Sequence, residues 1–355
     1  MIQPLEPSPI PVAILGLGRA GWKNHTRYLR EDRRYHIVAV ADPMEERRHE
    51  AVEALGCQAY ATREALLHEG AAEVVVVATP NRCHQEDALA VLRSGRHCVL
   101  EKPMATSYAD AVHLRETALE TERCLAVYHQ HLFGGEYRLM REIIRSGVLG
   151  EVFEIQLCWA SYRRRVDWQT LLRNAGGHLN NHGPHALSIL LPLLEAPLEA
   201  ISGRARHVKD AGDADDHVHA LLHAANGRTA RLFLSTACAA PQPRFTLLGT
   251  CGSAVHTGER TALLRYYDPG KVALLTTRDG PAAGRIYGTG EVLPWQEEER
   301  ALPPLSVCAS FYDNLHAVLN GREPLTVAPE SAVEVVRTIE WLMTGRDPAA
   351  SLSIA

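Results

Sequence analysis

Two short runs in this 355-residue chain carry residue types that could do chemistry together. Gly16-Leu17-Gly18-Arg19-Ala20-Gly21 has the glycine spacing that lets backbone N–H groups close on a dinucleotide pyrophosphate. Glu101-Lys102-Pro103 puts a primary amine in the same half of the chain. An amine beside a bound nicotinamide suits oxidation of an alcohol or reduction of a ketone. It can hold or move the proton on oxygen while hydride moves at carbon.

Within the first run, Gly16 would allow the tight turn, Gly18 the close approach of the pyrophosphate, and Gly21 the packing of helix on strand. Gly16, Leu17, Gly18, Arg19, Ala20 and Gly21 are therefore candidate cofactor contacts, with the phosphates at a helix N-terminus. Asp42 lies about 20 residues past the last glycine, where an acid can bind the adenosine ribose hydroxyls. A carboxylate there repels a 2′-phosphate and favours NAD. Arg47, Arg48 or Arg19 could offset that charge, so NADP stays open. Asp42-Pro43-Met44-Glu45 also reads as a capping box with proline at the first helical position, which gives Asp42 a structural task besides.

These residues need elements to position them. Continuous apolar runs at Val12 to Leu15, Ile37 to Val40, Val74 to Ala78, His97 to Leu100 and Leu125 to Val127 read as strands covered on both faces, as in a parallel sheet. Amphipathic stretches separate them, with Ser107 as one helix start and Asn81 as the cap of a helix running to about Ser94. This is a doubly wound α/β pattern, whose ligands bind beyond the carboxyl ends of the strands.

After Tyr128 the pattern changes. A helix over Glu136 to Ser146, closed by Gly147, leads into Val152 to Trp159, Ala200 to Val208, His217 to His223, Thr229 to Thr236, Arg244 to Gly249 and Ser253 to Thr257. Consecutive strands joined by turns such as Asn226-Gly227 predict an open, mostly antiparallel sheet. A helix is expected from near Pro184 to Leu194, a loop over 271–305, and helices near Ser310 to Leu319 and Pro329 to Met343. The fold class is α/β. Residues 1–128 form a dinucleotide-binding domain, and residues 129–355 form a domain for substrate binding and oligomerisation.

Bulk properties narrow the classes. Apolar content of 46% with 22% charged residues is ordinary for a globular enzyme. A net charge of −5 gives no support for a nucleic-acid partner. No signal peptide is read at the N-terminus and no apolar run approaches the ~20 residues of a membrane span. The eight cysteines form no Cys-x-x-Cys pair, so they read as reduced residues of a cytoplasmic protein.

The chain resembles the glucose–fructose oxidoreductase, inositol dehydrogenase and rhizopine-catabolism (Gfo/Idh/MocA) family. The match is carried by Gly16 to Gly21, Ala41-Asp42-Pro43, Thr79-Pro80-Asn81-Arg82-Cys83-His84, Glu101-Lys102-Pro103, and Gly176-Gly177-His178-Leu179-Asn180-Asn181-His182-Gly183-Pro184-His185. The resemblance implies a Rossmann domain followed by an open α/β domain, with substrate between them. It also implies Lys102 as the catalytic lysine and His185 as the catalytic histidine. Thr79, Pro80, Asn81, His84 and Glu101 would line the cofactor side of the cleft. The family pattern has an acid four positions before the histidine, where this chain has Asn181; an amide can hydrogen-bond a substrate but cannot take up a proton usefully.

Lys102 and His185 can both be tuned towards neutrality by burial or neighbouring charge, so the two could share the proton work. His178, His182 and His185 have helix-compatible spacing. Pro184 is expected to open the helix, however, leaving His178 in the preceding loop, and no metal is expected. Tyr128, His129, Tyr162, Arg163 and Trp168, together with Asn181, are candidate substrate contacts. The arginines 163–165 could hold a phosphate or carboxylate on a sugar derivative. His217, His219 and His223 alternate on a strand face that suits a wet or subunit-facing surface.

The expected activity is NAD(P)-dependent hydride transfer at a secondary alcohol or ketone of a sugar, cyclitol or sugar derivative. The alternatives are a biosynthetic reductase of a nucleotide-linked keto-sugar and a dinucleotide-binding sensor without turnover. A small polyol or sugar is the expected partner, and the open sheet face predicts a homodimer or homotetramer.

Overall fold

A computed structural model describes residues 8–277, 279–280, 288, 290–304 and 306–352. The first sheet holds β1 (Ile10–Leu15), β2 (Tyr35–Ala41), β3 (Gln58–Tyr60), β4 (Val74–Val77), β5 (His97–Leu100) and β6 (Leu125–Val127). All pair in parallel in the order β3-β2-β1-β4-β5-β6, so the order reverses at β1/β4. That reversal opens the crevice in which such sheets bind ligands. Val74, Val75, Val76 and Val77 of β4 are fully buried, because helices cover both faces. A π-helical turn, Gly21–Thr26, runs into α1 (Arg27–Leu29). α2 (Glu45–Leu55), α3 (Arg63–Glu69), α4 (His84–Arg93) and α5 (Tyr108–Glu120) complete this half.

Beyond α6 (Gly135–Ser146) the second sheet is built from β7 (Val152–Ala160), β8 (Leu198–Arg206), β9 (His217–Ala224), β10 (Thr229–Ser235), β11 (Phe245–Gly249), β12 (Gly252–His256), β13 (Thr261–Tyr266) and β14 (Gln296–Ala301). Its order is β14-β13-β12-β11-β7-β10-β9-β8. β7 and β10 run parallel, and the other pairs are antiparallel. One face packs on α6 and α7 (His178–Leu194) through Leu139, Ile155, Leu157, Ile189 and Leu190. Each fully buried aliphatic side chain of this kind contributes about 1.5–3 kcal/mol. The other face is open, with Phe153 at 45% and Leu263 at 50% exposure.

The last two helices return to the first sheet. α8 (Val307–Leu319) sets Phe311, Tyr312 and Leu315 into a core with Val12, Ile14 and Val76. α9 (Pro329–Thr344) is shared between both halves. Ala332, Val333 and Val336 join the core on the other face of the first sheet, while Val335, Ile339 and Leu342 join that of the second.

Four sequence expectations need correction. The helix after β2 begins at Glu45 with Met44 as its cap, so the capping box does not form. The Asp42 carboxylate instead accepts from the N–H groups of Met44 (2.9 Å) and Leu17 (2.8 Å). Asn81 does not cap α4, whose preceding residue is Cys83; its amide donates to Ala175 O at 3.2 Å. Pro184 does not open its helix. α7 starts at His178 because Asp215 receives the first N–H groups: His178 N on its carbonyl and Leu179 N on its carboxylate, both at 2.7 Å. The loop expected over 271–305 contains β14, which pairs with β13; residues 278, 281–287, 289 and 305 of that stretch lie outside the described residues.

Candidate active site

The glycine loop leaves β1 with the geometry the sequence requires. Gly16 has φ 94°, a left-handed conformation in which a Cβ would meet Ala78 O at 2.7 Å. A Cβ on Gly21 would lie 1.9 Å from Gly16 O, whereas one on Gly18 would meet nothing within 4 Å. The fold thus fills the space at Gly16 and Gly21 and leaves an open cradle at Gly18, as a pyrophosphate needs. Arg19 beside it is exposed. Asp42 is 3% exposed and its carboxylate also faces Arg47, at 3.3 Å. The residues present fit a bound dinucleotide.

Across the switch point, Thr79 Oγ1 donates to Asp87 at 2.6 Å. His84 stands between the carbonyls of Thr79 (2.9 Å) and Pro103 (2.6 Å), tying the loop after β4 to the one after β5. Burial pulls His84 down, with those two carbonyls acting against it. Pro80 precedes the short turn Asn81–Cys83, and Asn81 reaches the second half through Ala175.

Glu101 ends this edge as a buried carboxylate. His25 Nε2 lies 3.2 Å from its Oε1, and His25 Nδ1 lies 2.7 Å from the Tyr312 hydroxyl. A carboxylate only accepts, so the consistent arrangement is Tyr312 O–H donating to Nδ1 and Nε2–H donating to Glu101. Burial pushes the Glu101 carboxyl up. The hydrogen bond from His25 and the charge of Lys102 outweigh it and hold the group below the usual carboxylate range. Lys102 Nζ donates to both oxygens of Asn181, the carbonyl at 3.0 Å and the amide Oδ1 at 3.1 Å. Burial lowers the Lys102 pKa and the positive charges of Arg19 and Arg165 add to the effect, against the pull of Glu101.

Five buried or largely buried imidazoles lie in this region. His131 and His185 rings are 4.6 Å apart, and His178 and His182 rings 4.3 Å apart. Burial drives His131 and His182 to about 4, His129 and His178 to about 3, and His185 well below its ordinary value, with the Lys102 charge acting on all but His178. All are neutral near pH 7. His129 Nε2, His178 Nε2, His182 Nδ1 and His185 Nδ1 have no partner among the described residues. Such groups are costly unless a ligand or water satisfies them.

Lys102, Asn181, His185 and His129 are thus brought to one place. Tyr128 is placed elsewhere, in the core against His25 and Phe311, with its hydroxyl 2.5 Å from Cys308 Sγ. Tyr162, Arg163 and Trp168 lie on an exposed segment, and of the three only Arg163 lines the pocket at the start of α7. Sequence reading missed His131, which sits only two residues beyond His129, and Gln169, whose amide lies 3.4 Å from Asn181 Oδ1. It missed His25 and Tyr312 as well, which no local pattern marks.

The chain is similar to known proteins over most of its length. A family profile described as an oxidoreductase family with an NAD-binding Rossmann fold matches residues 10–129. A second, the GFO/IDH/MocA C-terminal domain, matches residues 137–255. The 2,7-anhydro-N-acetylneuraminate hydratase of Escherichia coli K12 is 28% identical over 260 residues, 71% of this chain and 69% of that one. The scyllo-inositol 2-dehydrogenase (NADP(+)) IolW of Bacillus subtilis 168 is 25% identical over 343 residues, 94% and 93% of the two chains. A solved NAD-binding protein from Listeria innocua has the same fold, with a TM-score of 0.79 at 23% identity over 93% of each chain.

Proposed function

We propose that this chain, which belongs to the Gfo/Idh/MocA family of NAD-binding oxidoreductases, interconverts a secondary alcohol and a ketone on a sugar, cyclitol or sugar derivative. A dehydrogenase named for scyllo-inositol among its relatives supports the substrate class. The observation that carries the reading is the Lys102 amine, held by both oxygens of Asn181 between the glycine loop and α7.

Gly16 to Gly21, Asp42, Thr79, Pro80, Asn81, His84 and Glu101 would hold the dinucleotide. The nicotinamide, when bound, supplies the hydride acceptor or donor. Asp42 favours NAD, because a 2′-phosphate would meet its carboxylate, only partly offset by Arg47.

The rest is the work of the chain's own groups. A neutral amine has two N–H bonds, and the two Asn181 oxygens take both. The nitrogen lone pair is then left to accept the hydroxyl proton of the substrate. In the reverse direction the ammonium form has a third N–H to donate to the ketone oxygen. Neutral His185 and His129 offer ring nitrogens to the neighbouring hydroxyls, and His185 can pass the proton on. Glu101, fixed by His25 and Tyr312, keeps a negative charge next to the amine and limits how far burial lowers it.

The second half supplies the substrate contacts, Asn181, Tyr162, Arg163 and Trp168 among them. Its open sheet face supports a homodimer or homotetramer.

The test is a panel of polyols and sugars mixed with full-length protein and NAD or NADP, followed by nicotinamide absorbance and by mass spectrometry of the sugar. The mass measurement also catches conversion without net redox change, since one relative is named a hydratase. Lys102→Met should lose turnover by about 10²–10⁴-fold, the scale of general acid–base catalysis, while still binding NAD. Near-normal turnover in that variant would remove Lys102 from the mechanism. Binding without turnover by the unaltered protein across the panel would favour the sensor reading.

A further inference from the structure

A pocket of about 190 Å³ opens beside the Lys102 cluster, between the Arg163–Thr170 segment and the N-terminus of α7. Complete small-molecule sites are roughly 300–1,000 Å³, so this one takes an arm of a substrate and not a whole sugar or nucleotide. It is connected to the reacting amine. Arg165 donates to Gln169 Oε1 at 2.5 Å, and Gln169 Nε2 reaches Asn181 Oδ1, the oxygen that also receives Lys102.

Of the four cationic side chains that line the pocket, three have partners. Arg165 is held by Asp167 at 2.8 Å and Arg164 lies 3.7 Å from Asp210. Lys209 Nζ donates to the carbonyls of Arg163 and Thr236. Asp216 receives the backbone N–H groups of Val208 and Lys209, and Asp215 receives that of Leu179. The Arg163 guanidinium has no hydrogen bond or ion pair among the described residues, yet its charge reaches His178 and His182. His178 also lines the pocket; it is 7% exposed, and its Nε2 is without a partner. One guanidinium without a partner beside an unsatisfied buried imidazole fits a group with two acceptor oxygens.

We infer that this pocket is the subsite for a carboxylate on the substrate, with Arg163 as its counter-ion, so that the enzyme acts on a sugar acid. The inference rests on the proposed dehydrogenase reading and narrows its substrate class. Arginine suits the task because its planar fork matches a carboxylate bidentately. A doubly charged phosphate would be repelled more strongly than a carboxylate by Asp215 and Asp216, which also line the pocket.

The test compares matched probes on full-length protein with NAD: D-glucuronate against D-glucose, D-galacturonate against D-galactose, and glucose 6-phosphate as the dianion. The unaltered protein should prefer the uronates. Arg163→Ala should reduce that preference by about 10- to 100-fold, the range for a lost charge-assisted hydrogen bond, chiefly through KM. Arg163→Lys should recover part of it. No preference in the unaltered protein, an undiminished preference in Arg163→Ala, or a stronger response to the phosphate would each overturn the inference. If no probe turns over, the proposed activity has failed by itself. Calorimetric binding of D-glucuronate to NADH-loaded protein then tests the subsite alone. Binding that Arg163→Ala weakens supports it, and absent or unaltered binding overturns it.

Discussion

Asn181→Asp would place a carboxylate where the amide oxygen now lies, 3.1 Å from Lys102 Nζ. Two unit charges at that separation attract by roughly 1.3 kcal/mol in the dielectric of bulk water and by about 5 kcal/mol at an effective value of about 20. At about 1.4 kcal/mol per pH unit, these limits correspond to about one to four units. Carboxylates this close typically move a partner by about 1–3 units, so a rise of about two is expected. The direction follows from the base form. Alcohol oxidation uses the neutral amine, so kcat/KM rises with pH through the Lys102 pKa, and the variant's rising limb should move to higher pH. Ketone reduction uses the ammonium form, and its falling limb should move up by the same amount. Near neutral pH the variant should therefore oxidise more slowly and reduce at least as well. The assay is kcat/KM against pH in both directions, with NAD affinity and melting temperature as controls. A limb that stays in place, in a folded variant that binds NAD, would show that Lys102 is not the group that titrates.

Four further expectations can be checked more briefly. Gly18→Ala has open space and should leave the melting temperature of the free protein within a few degrees of its original value, while weakening NAD binding at least about 10-fold because the new methyl occupies the phosphate cradle. Gly21→Ala meets the Gly16 carbonyl and should cost about 1–3 kcal/mol of stability in chemical denaturation, with loss of NAD binding. The buried histidines predict acid sensitivity. Unfolded imidazoles take up protons below about pH 6.5, whereas His131 and His182 stay neutral until about 4. Stability is then full above about 6.5 and is lost as pH falls towards 4. Melting temperature against pH should show this, and a flat profile down to pH 4.5 would contradict it. Finally, Phe153→Glu or Leu263→Glu on the open sheet face should convert an oligomer to monomer in light scattering; an unchanged mass would place the interface elsewhere.

How much of this could be read in the chain depended on whether the cause was local. β4 was legible because four successive valines suit a strand buried on both faces. β3, three residues long, carried too little pattern to see. β14 was hidden for a different reason. Gln296-Glu297-Glu298-Glu299-Arg300-Ala301 has no apolar alternation, and it is held at the edge by its ladder to β13 and by contacts such as Tyr266 to Glu298 at 3.2 Å. The glycine loop announced itself through spacing and Lys102 through the family resemblance, and the structure sets Lys102 beside Asn181 of α7. The start of α7 was misread because its cap, Asp215, lies 36 residues away from Leu179. The support behind Lys102 was beyond reach altogether: His25 meets a glutamate 76 positions on and a tyrosine 287 positions on.

That last separation has a consequence for how the molecule comes into being. The first sheet emerges before α8 and α9, yet Phe311, Tyr312, Ala332 and Val333 of those helices complete its two cores. Until then the dinucleotide half has uncovered apolar surface, and Glu101 has a histidine whose own phenol partner is missing. A chain released before α8 would lack the closing layer of its cofactor half, and Lys102 would lose the support that reaches it through Tyr312, His25 and Glu101. The architecture therefore ties the surroundings of the Lys102 amine to synthesis of α8 and α9, some two hundred residues after the strand that precedes it in the chain is made.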